Sequence, residues 1–145
     1  MINDVIKGMA AAIDEEFNEL SHDYDIYDSR VPQDIEEPAF YIQAIDVSTN
    51  LFRDKRYLSR CHMVVHYFPE NEIDFQEECN AIGVRLYWAL EWIMCPGENR
   101  PLHGFNSRFD TENGVLMFFI DYEYFLKKVD DVEAMETLTQ EVIPE

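Results

Sequence analysis

The sequence is poor in the residues from which disulfide frameworks and phosphate-binding loops are built. It has three cysteines, an odd number, and no CxxC pair occurs among its 145 residues. This pattern argues against a disulfide framework and favours reduced, buried thiols. The five glycines lie far apart, so neither a GxGxxG nor a GxxxxGK phosphate-binding pattern is present. The sequence therefore indicates neither a disulfide-stabilised scaffold nor a nucleotide-binding loop.

Basic residues are also scarce. Lysine and arginine number 11 against 30 aspartates and glutamates, which gives a formal net charge of −19. Phosphate binding requires clustered bases, so this composition argues against a nucleic-acid backbone or an anionic membrane surface as a direct ligand. No apolar run approaches the ~20 residues that span a bilayer, and the N-terminal segment is acidic and helical in period, unlike a signal peptide. We expect a protein made in the cytoplasm with no membrane partner.

Hydrophobic residues, in contrast, are plentiful. They make up 47% of the chain and aromatic residues 14%, which favours a folded domain over an acidic disordered chain. The length suits one domain. We predict a single domain over residues 1–128, followed by an acidic C-terminal arm over 129–145.

Hydrophobic periodicity predicts seven elements in the order α-β-β-β-α-β-β. The helices are predicted at residues 3–20 and 74–94, the second capped by Asn71 or by Asp74 with Glu77. The predicted strands are 23–29, 39–47, 57–68, 102–110 and 114–128. Residues 48–56 are predicted to be a polar, basic connection, and Asn113-Gly114 a hairpin turn. Short connections favour antiparallel pairing, so we expect an α+β fold with a mostly antiparallel five-stranded sheet and both helices on one face.

The charges are distributed unevenly along the chain. Residues 14–37 and 130–145 are densely acidic. The bases gather in one short stretch, which contains Arg53, Lys55, Arg56 and Arg60. A solvated acidic surface is the simplest interpretation. The alternative is that the basic stretch of one copy meets an acidic segment of another, a head-to-tail contact that forms rings or filaments.

Two groups of apolar residues suggest further contact surfaces. Even positions from Leu116 to Leu126 form the predicted core face of the last strand, with Asp121 and Glu123 on the other side facing solvent. Val115, Met117 and Phe119 make the start of that other side apolar too, so either loops or a second subunit must cover it. Trp88 and Trp92 lie beside the main apolar stripe of the second predicted helix. They either widen the core contact or anchor an interface.

Candidate chemistry is weak. His62 and His66 share a face of one strand but lie ~13 Å apart, too far for one metal ion to bind both directly. Cys79 falls on the apolar stripe of the second helix and is predicted to be an inert thiol. Cys95 and His103 flank a loop and leave a thiol hydrolase as an open hypothesis. We predict no catalytic residue, no metal and no cofactor.

Five segments in order along nearly the whole chain carry a family resemblance. They are MINDVIKGMAAAIDEEF, DYDIYDSRVPQDIEEPAFYIQ, RYLSRCHMVVHYFP, ECNAIGVRLYWALEWI and DTENGVLMFFIDYEYFLKKVDDVEAMETL. At this order and spacing they resemble the tail terminator proteins of tailed bacteriophages, in the form found in prophages and phage-tail-like particles of low-GC Gram-positive bacteria.

The resemblance implies a structural role in the virion tail. Tail terminators are small α+β proteins that form hexameric rings, cap the growing tail tube, end its polymerisation and join the tail to the head. The implied partners are other copies of the chain, the tube protein, a sheath protein and a head-tail connector, with DNA only passing through the lumen. The resemblance implies no cofactor and no catalysis. The alternative from another class is an acidic inhibitor or DNA mimic, against which the basic stretch counts.

Overall fold

Two helices and seven strands make up the part of the chain that the computed structural model describes, residues 2–30, 33–128 and 138–141. The elements are α1 (Ile2–Phe17), β1 (Asp25–Tyr27), β2 (Ala39–Arg53), β3 (Arg56–Phe68), α2 (Phe75–Leu90), β4 (Trp92–Ile93), β5 (Leu102–Glu112), β6 (Val115–Lys128) and β7 (Leu138–Glu141). The α+β class is confirmed. Neither described helix is both long enough and apolar enough to cross a membrane.

The strands form one sheet in the order β1-β2-β3-β6-β5-β4, with β7 also paired to β6. Only β1–β2 is parallel, so the prediction of mostly antiparallel pairing is confirmed. The predicted count of five strands is wrong. β4 and β7 were missed because strands of two and four residues are too short to show a period. β7 lies within the predicted arm, whose other residues are outside the described part of the chain.

Both helices pack on one face of the sheet. Met9 and Ile13 of α1, with Leu86 of α2, join the inward side chains of β3 and β6 in a single core. The even positions of β6 are buried as predicted, namely Leu116, Phe118, Ile120, Tyr122, Tyr124 and Leu126. The opposite face of the sheet has no helix over it among the described residues, and we call it the helix-free face.

The first helix is shorter than predicted. It ends at Phe17, and Leu20 is 98% exposed instead of extending the apolar stripe. The Asn18 side chain explains the end, because its amide accepts a hydrogen bond from Tyr24 N and donates one to Tyr24 O. These two bonds turn the chain away from the helix axis and into β1.

The second helix also ends early, at Leu90 instead of Met94. The Leu90 carbonyl accepts a hydrogen bond from the Tyr122 hydroxyl at 2.6 Å, and the Glu91 carbonyl accepts one from Gly104 N at 2.7 Å. These carbonyls thus bond to the sheet, and Ile93 enters β4. Trp92 therefore lies on a strand, so its predicted place on the helix is wrong.

The start of α2 is held by a different carboxylate from the one predicted. Asp74 makes no side-chain cap bond. The amide oxygen of Asn71 accepts from Ile73 N and Asp74 N, while Glu78, not Glu77, accepts from Tyr67 Oη and two loop amides. The carboxylate thereby ties the loop before α2 to β3.

The prediction that residues 48–56 form a polar connection is wrong. This segment includes three of the four bases of the basic stretch. β2 and β3 instead form one long hairpin with Asp54 and Lys55 in its turn, and Arg53 pairs with Arg56. Side chains on both faces of this part of β2 are exposed, so no alternation of burial marked it as a strand.

Candidate interaction surfaces

The tip of the β2–β3 hairpin is basic and apolar together. We define the hairpin tip as residues Leu51–Arg56. It contains three of the four bases that the sequence predicts at a contact, namely Arg53, Lys55 and Arg56. All three residues are exposed. Leu51 is 62% exposed and Phe52 59%. The tip is supported by Phe125 of β6, whose ring lies 5.1 Å from that of Phe52 and 4.8 Å from the Arg56 guanidinium.

Arg60, the fourth predicted base, lies outside the tip. It faces the helix-free side of β3, directly opposite Glu123 in the register. Arg60 Nε donates to Glu123 Oε1 at 2.6 Å. Its charge is thus balanced within the chain.

Val115, Met117 and Phe119 alternate on the helix-free face, as the sequence predicts. All three are half-buried. The Arg108 guanidinium lies 4.2 Å from the centre of the Phe119 ring and covers part of it. Val64, the register partner of Phe119 on β3, is only 2% exposed. Side chains on neighbouring strands therefore supply part of the cover.

A hydrogen-bonded polar cluster lies beside these apolar residues. His62 Nδ1 donates to Asp121 Oδ1 at 2.6 Å, and Asn106 Nδ2 donates to Asp121 Oδ2 at 3.1 Å. Asp121 is 9% exposed, so the prediction that it faces solvent is wrong. A bulge on β2 and another on β5 flank the cluster, and a pocket of about 710 Å³ opens there. No sequence pattern indicates this cluster, because its members meet only through strand register.

The two histidines of β3 are engaged separately. His62 bonds Asp121, whereas the His66 ring stacks on Tyr41 and hydrogen-bonds Gln43 Oε1 at 3.2 Å. Burial lowers the pKa of His66. Across the described residues, no three His, Cys, Asp or Glu side chains are grouped so as to hold a metal ion.

The three thiols are all buried and unbridged. Burial raises the pKa of Cys61 to about 12 and also raises that of Cys79, which disfavours the nucleophilic thiolate. Cys95 is 4% exposed in the core, whereas the His103 side chain is 45% exposed and packs on Trp92. This arrangement gives no support to the thiol hydrolase hypothesis.

A groove of about 370 Å³ separates the outer side of α2 from β5. Its lining is mainly apolar and consists of Val84, Tyr87, Trp88, Ser107, Arg108, Phe109 and Phe118. Trp88 is 68% exposed and its ring stacks on Tyr87 at 4.9 Å. We call this feature the α2–β5 groove. Trp92 is not part of its lining; it is 42% exposed on β4, with its ring 4.4 Å from that of His103.

Gly83 allows the groove to form. A Cβ atom at this position would lie 2.9 Å from the Phe109 ring, so glycine lets that ring rest against α2. β5 itself has an open outer edge, because β4 pairs only with Leu102 and His103 and no other described strand follows. An exposed aromatic groove beside an open strand edge is a typical protein contact site.

The chain matches a family of known proteins. A family model described as phage tail terminator protein matches residues 4–134, most of the chain. Comparison with curated proteins finds no match.

Proposed function

The chain belongs to the phage tail terminator family, and we propose that it forms a ring that caps the tail tube and ends its polymerisation. The family match over residues 4–134 carries this proposal, and it places the protein among structural components of the phage tail. We infer the finer role from the family resemblance. The cap is hexameric, joins the tail to the head or collar, and contacts sheath where sheath is present.

The proposed mechanism is competition at the end of the tube. A ring bound to the last tube ring occupies the surface that the next tube subunits need. Growth stops if the ring dissociates slowly, since residence time depends mainly on the off-rate. No catalytic step is required, which accords with the structural character of the family.

The surfaces of the described residues suit such a ring. The hairpin tip offers Arg53, Lys55 and Arg56 for contact with an acidic neighbour or with the tube. We propose that Val115, Met117 and Phe119 pack at a further contact on the helix-free face. The net charge of −19 suits a channel through which DNA slides, because like charges repel and prevent adhesion.

The alternative of an acidic inhibitor or DNA mimic receives less support. A mimic must present acids to a basic partner, whereas the hairpin tip projects three bases together. In addition, Glu123 and Asp121 are engaged by Arg60 and His62 within the chain.

Electron microscopy of particles made without this protein tests the proposal. We expect tails of uncontrolled length, because nothing would occupy the end of the tube. Supplying the wild-type protein from a plasmid should restore uniform tails and thus controls for effects on neighbouring genes. Tails of normal, uniform length in its absence would contradict the proposal.

A further inference from the structure

The residues along the α2–β5 groove have the composition of a surface that another protein covers, with exposed apolar side chains between charged ones. Exposed α2 residues recur at helical spacing along the side of the helix that lines it. They are Glu77, Asn80, Ala81, Val84, Tyr87 and Trp88. The middle of this stripe is apolar, and carboxylates lie at both ends, with Glu77 at the first turn and Glu91 just after the last. The apolar part of α2 that lines the groove thus lies between two acids on the same side of the helix.

Neither Arg85 nor Arg108 pairs with these acids in the described contacts, and Glu91 Oε2 lies 3.7 Å from His103 Nε2 at the edge of the stripe. Arg85 points to the other side of α2, where its Nε donates to Glu16 Oε1 at 3.2 Å and its guanidinium lies over Phe17. The Arg108 guanidinium lies over Phe119 on the helix-free face. A ligand that fits the groove should therefore carry apolar side chains flanked by its own bases.

The hairpin tip has that composition. Leu51 and Phe52 are each more than half exposed and are followed by Arg53, Lys55 and Arg56. We propose that the hairpin tip of one copy inserts into the α2–β5 groove of the next copy, with Phe52 against Trp88 and the tip bases toward Glu77 and Glu91. This inference rests on the proposed ring and names the contact that would build it.

The contact cannot form within one chain. Arg56 pairs with Lys127 near one end of β6, whereas Phe109 of the groove pairs with Phe118 near the other. These two positions are nine residues apart along β6, a separation of ~30 Å. The tip and the groove are fixed to the same sheet at this separation. The tip therefore cannot reach the groove of its own chain and can bind only the groove of another copy. A contact between two different surfaces repeats head to tail and closes into a ring when the rotation permits.

Disulfide trapping tests the contact directly. The full chain with Phe52→Cys and Trp88→Cys should form a ladder of covalent multimers on oxidation, because each copy links to two neighbours. Native Cys61, Cys79 and Cys95 are buried and should not contribute. Either single variant should stop at dimers. The matched control pairs Trp88→Cys with Lys7→Cys, an exposed position on α1, and should give no ladder beyond dimers.

A charge exchange provides an independent test that retains the aromatic residues. Arg53→Glu with Lys55→Glu should weaken self-association, measured by sedimentation, by roughly tenfold or more, because like charges then meet. Adding Glu77→Lys and Glu91→Lys should restore it. Lys7→Glu with Arg100→Glu changes the net charge equally at exposed positions away from the tip and should have a much smaller effect.

The outcomes separate this inference from the proposed function. If rings form but neither the ladder nor the charge rescue is seen, the hairpin-in-groove contact is wrong and the ring stands. If a photoreactive residue at position 88 crosslinks to tube protein instead of to a second copy, the hairpin-in-groove contact is wrong and the groove binds the tube. If the wild-type protein does not self-associate, either alone or on tail tubes, both the contact and the ring fail.

Discussion

Single buried polar groups decide where the elements of this protein end. Sequence periodicity correctly placed Leu90 and Tyr122 in the core, because each lies on an apolar face. It missed the hydrogen bond between the Tyr122 hydroxyl and the Leu90 carbonyl, since that bond joins residues 32 positions apart. The same limitation hid the pairing of Asp121 with His62. Periodicity identifies the face on which a side chain lies, but its partner depends on the register of the whole sheet.

The bond between Tyr122 and Leu90 predicts a measurable cost of its removal. Tyr122→Phe leaves the carbonyl at the end of α2 buried without this donor, which should lower the free energy of unfolding by about 1–3 kcal/mol. Urea denaturation monitored by circular dichroism measures the change. Tyr87→Phe removes a hydroxyl from an exposed tyrosine and should stay within ~0.5 kcal/mol of wild type. Equal losses in the two variants would show that the buried bond contributes nothing specific.

At the scale of elements, the two hairpins differ in how well the sequence revealed them. Asn113-Gly114 directly precedes β6, whose burial alternates for most of its length, and its prediction as a turn is confirmed. Both residues have positive φ, 53° and 77°, as a type I′ turn requires. The β2–β3 turn also has a residue at positive φ, Asp54 at 52°, but the part of β2 that leads into it is exposed on both faces. Burial of one face thus gives a strand an alternating sequence pattern by which it can be predicted. The exposed half of β2 lacks that pattern.

The β5–β6 turn provides a prediction about backbone conformation. Gly114→Ala places a side chain at φ 77° and should lower the free energy of unfolding by about 1 kcal/mol, because alanine adopts this region at a steric cost. No heavy atom outside its chain neighbours lies within 4 Å of a Cβ there, so crowding would not account for the loss. Asn113→Gly at the adjacent position relieves any strain and should be nearly neutral. A neutral Gly114→Ala would mean that the turn adopts another conformation.

At the scale of the whole molecule, the composition suggested contacts between copies more readily than it revealed the geometry of the surfaces. The excess of acids and the single basic stretch left contacts between copies as the alternative to a solvated acidic surface. The order of five segments pointed to the family that the match over residues 4–134 shows. The α2–β5 groove was beyond prediction, although Trp88 was identified. The groove depends on Gly83 admitting the Phe109 ring, a contact between elements 26 residues apart.

The net charge of −19 leads to a prediction about salt and stability. Repulsion among excess acids should destabilise the folded chain, whereas the Arg60–Glu123 and His62–Asp121 pairs should stabilise it. Exposed charges dominate by number, and the Debye length falls from ~30 Å at about 0.01 M salt to ~8 Å at about 0.15 M. We therefore expect the midpoint of thermal unfolding to rise with NaCl, at a protein concentration too low for self-association. Sucrose, which stabilises without screening charges, serves as the control. A midpoint that falls with NaCl would show that ion pairs within the chain outweigh the repulsion.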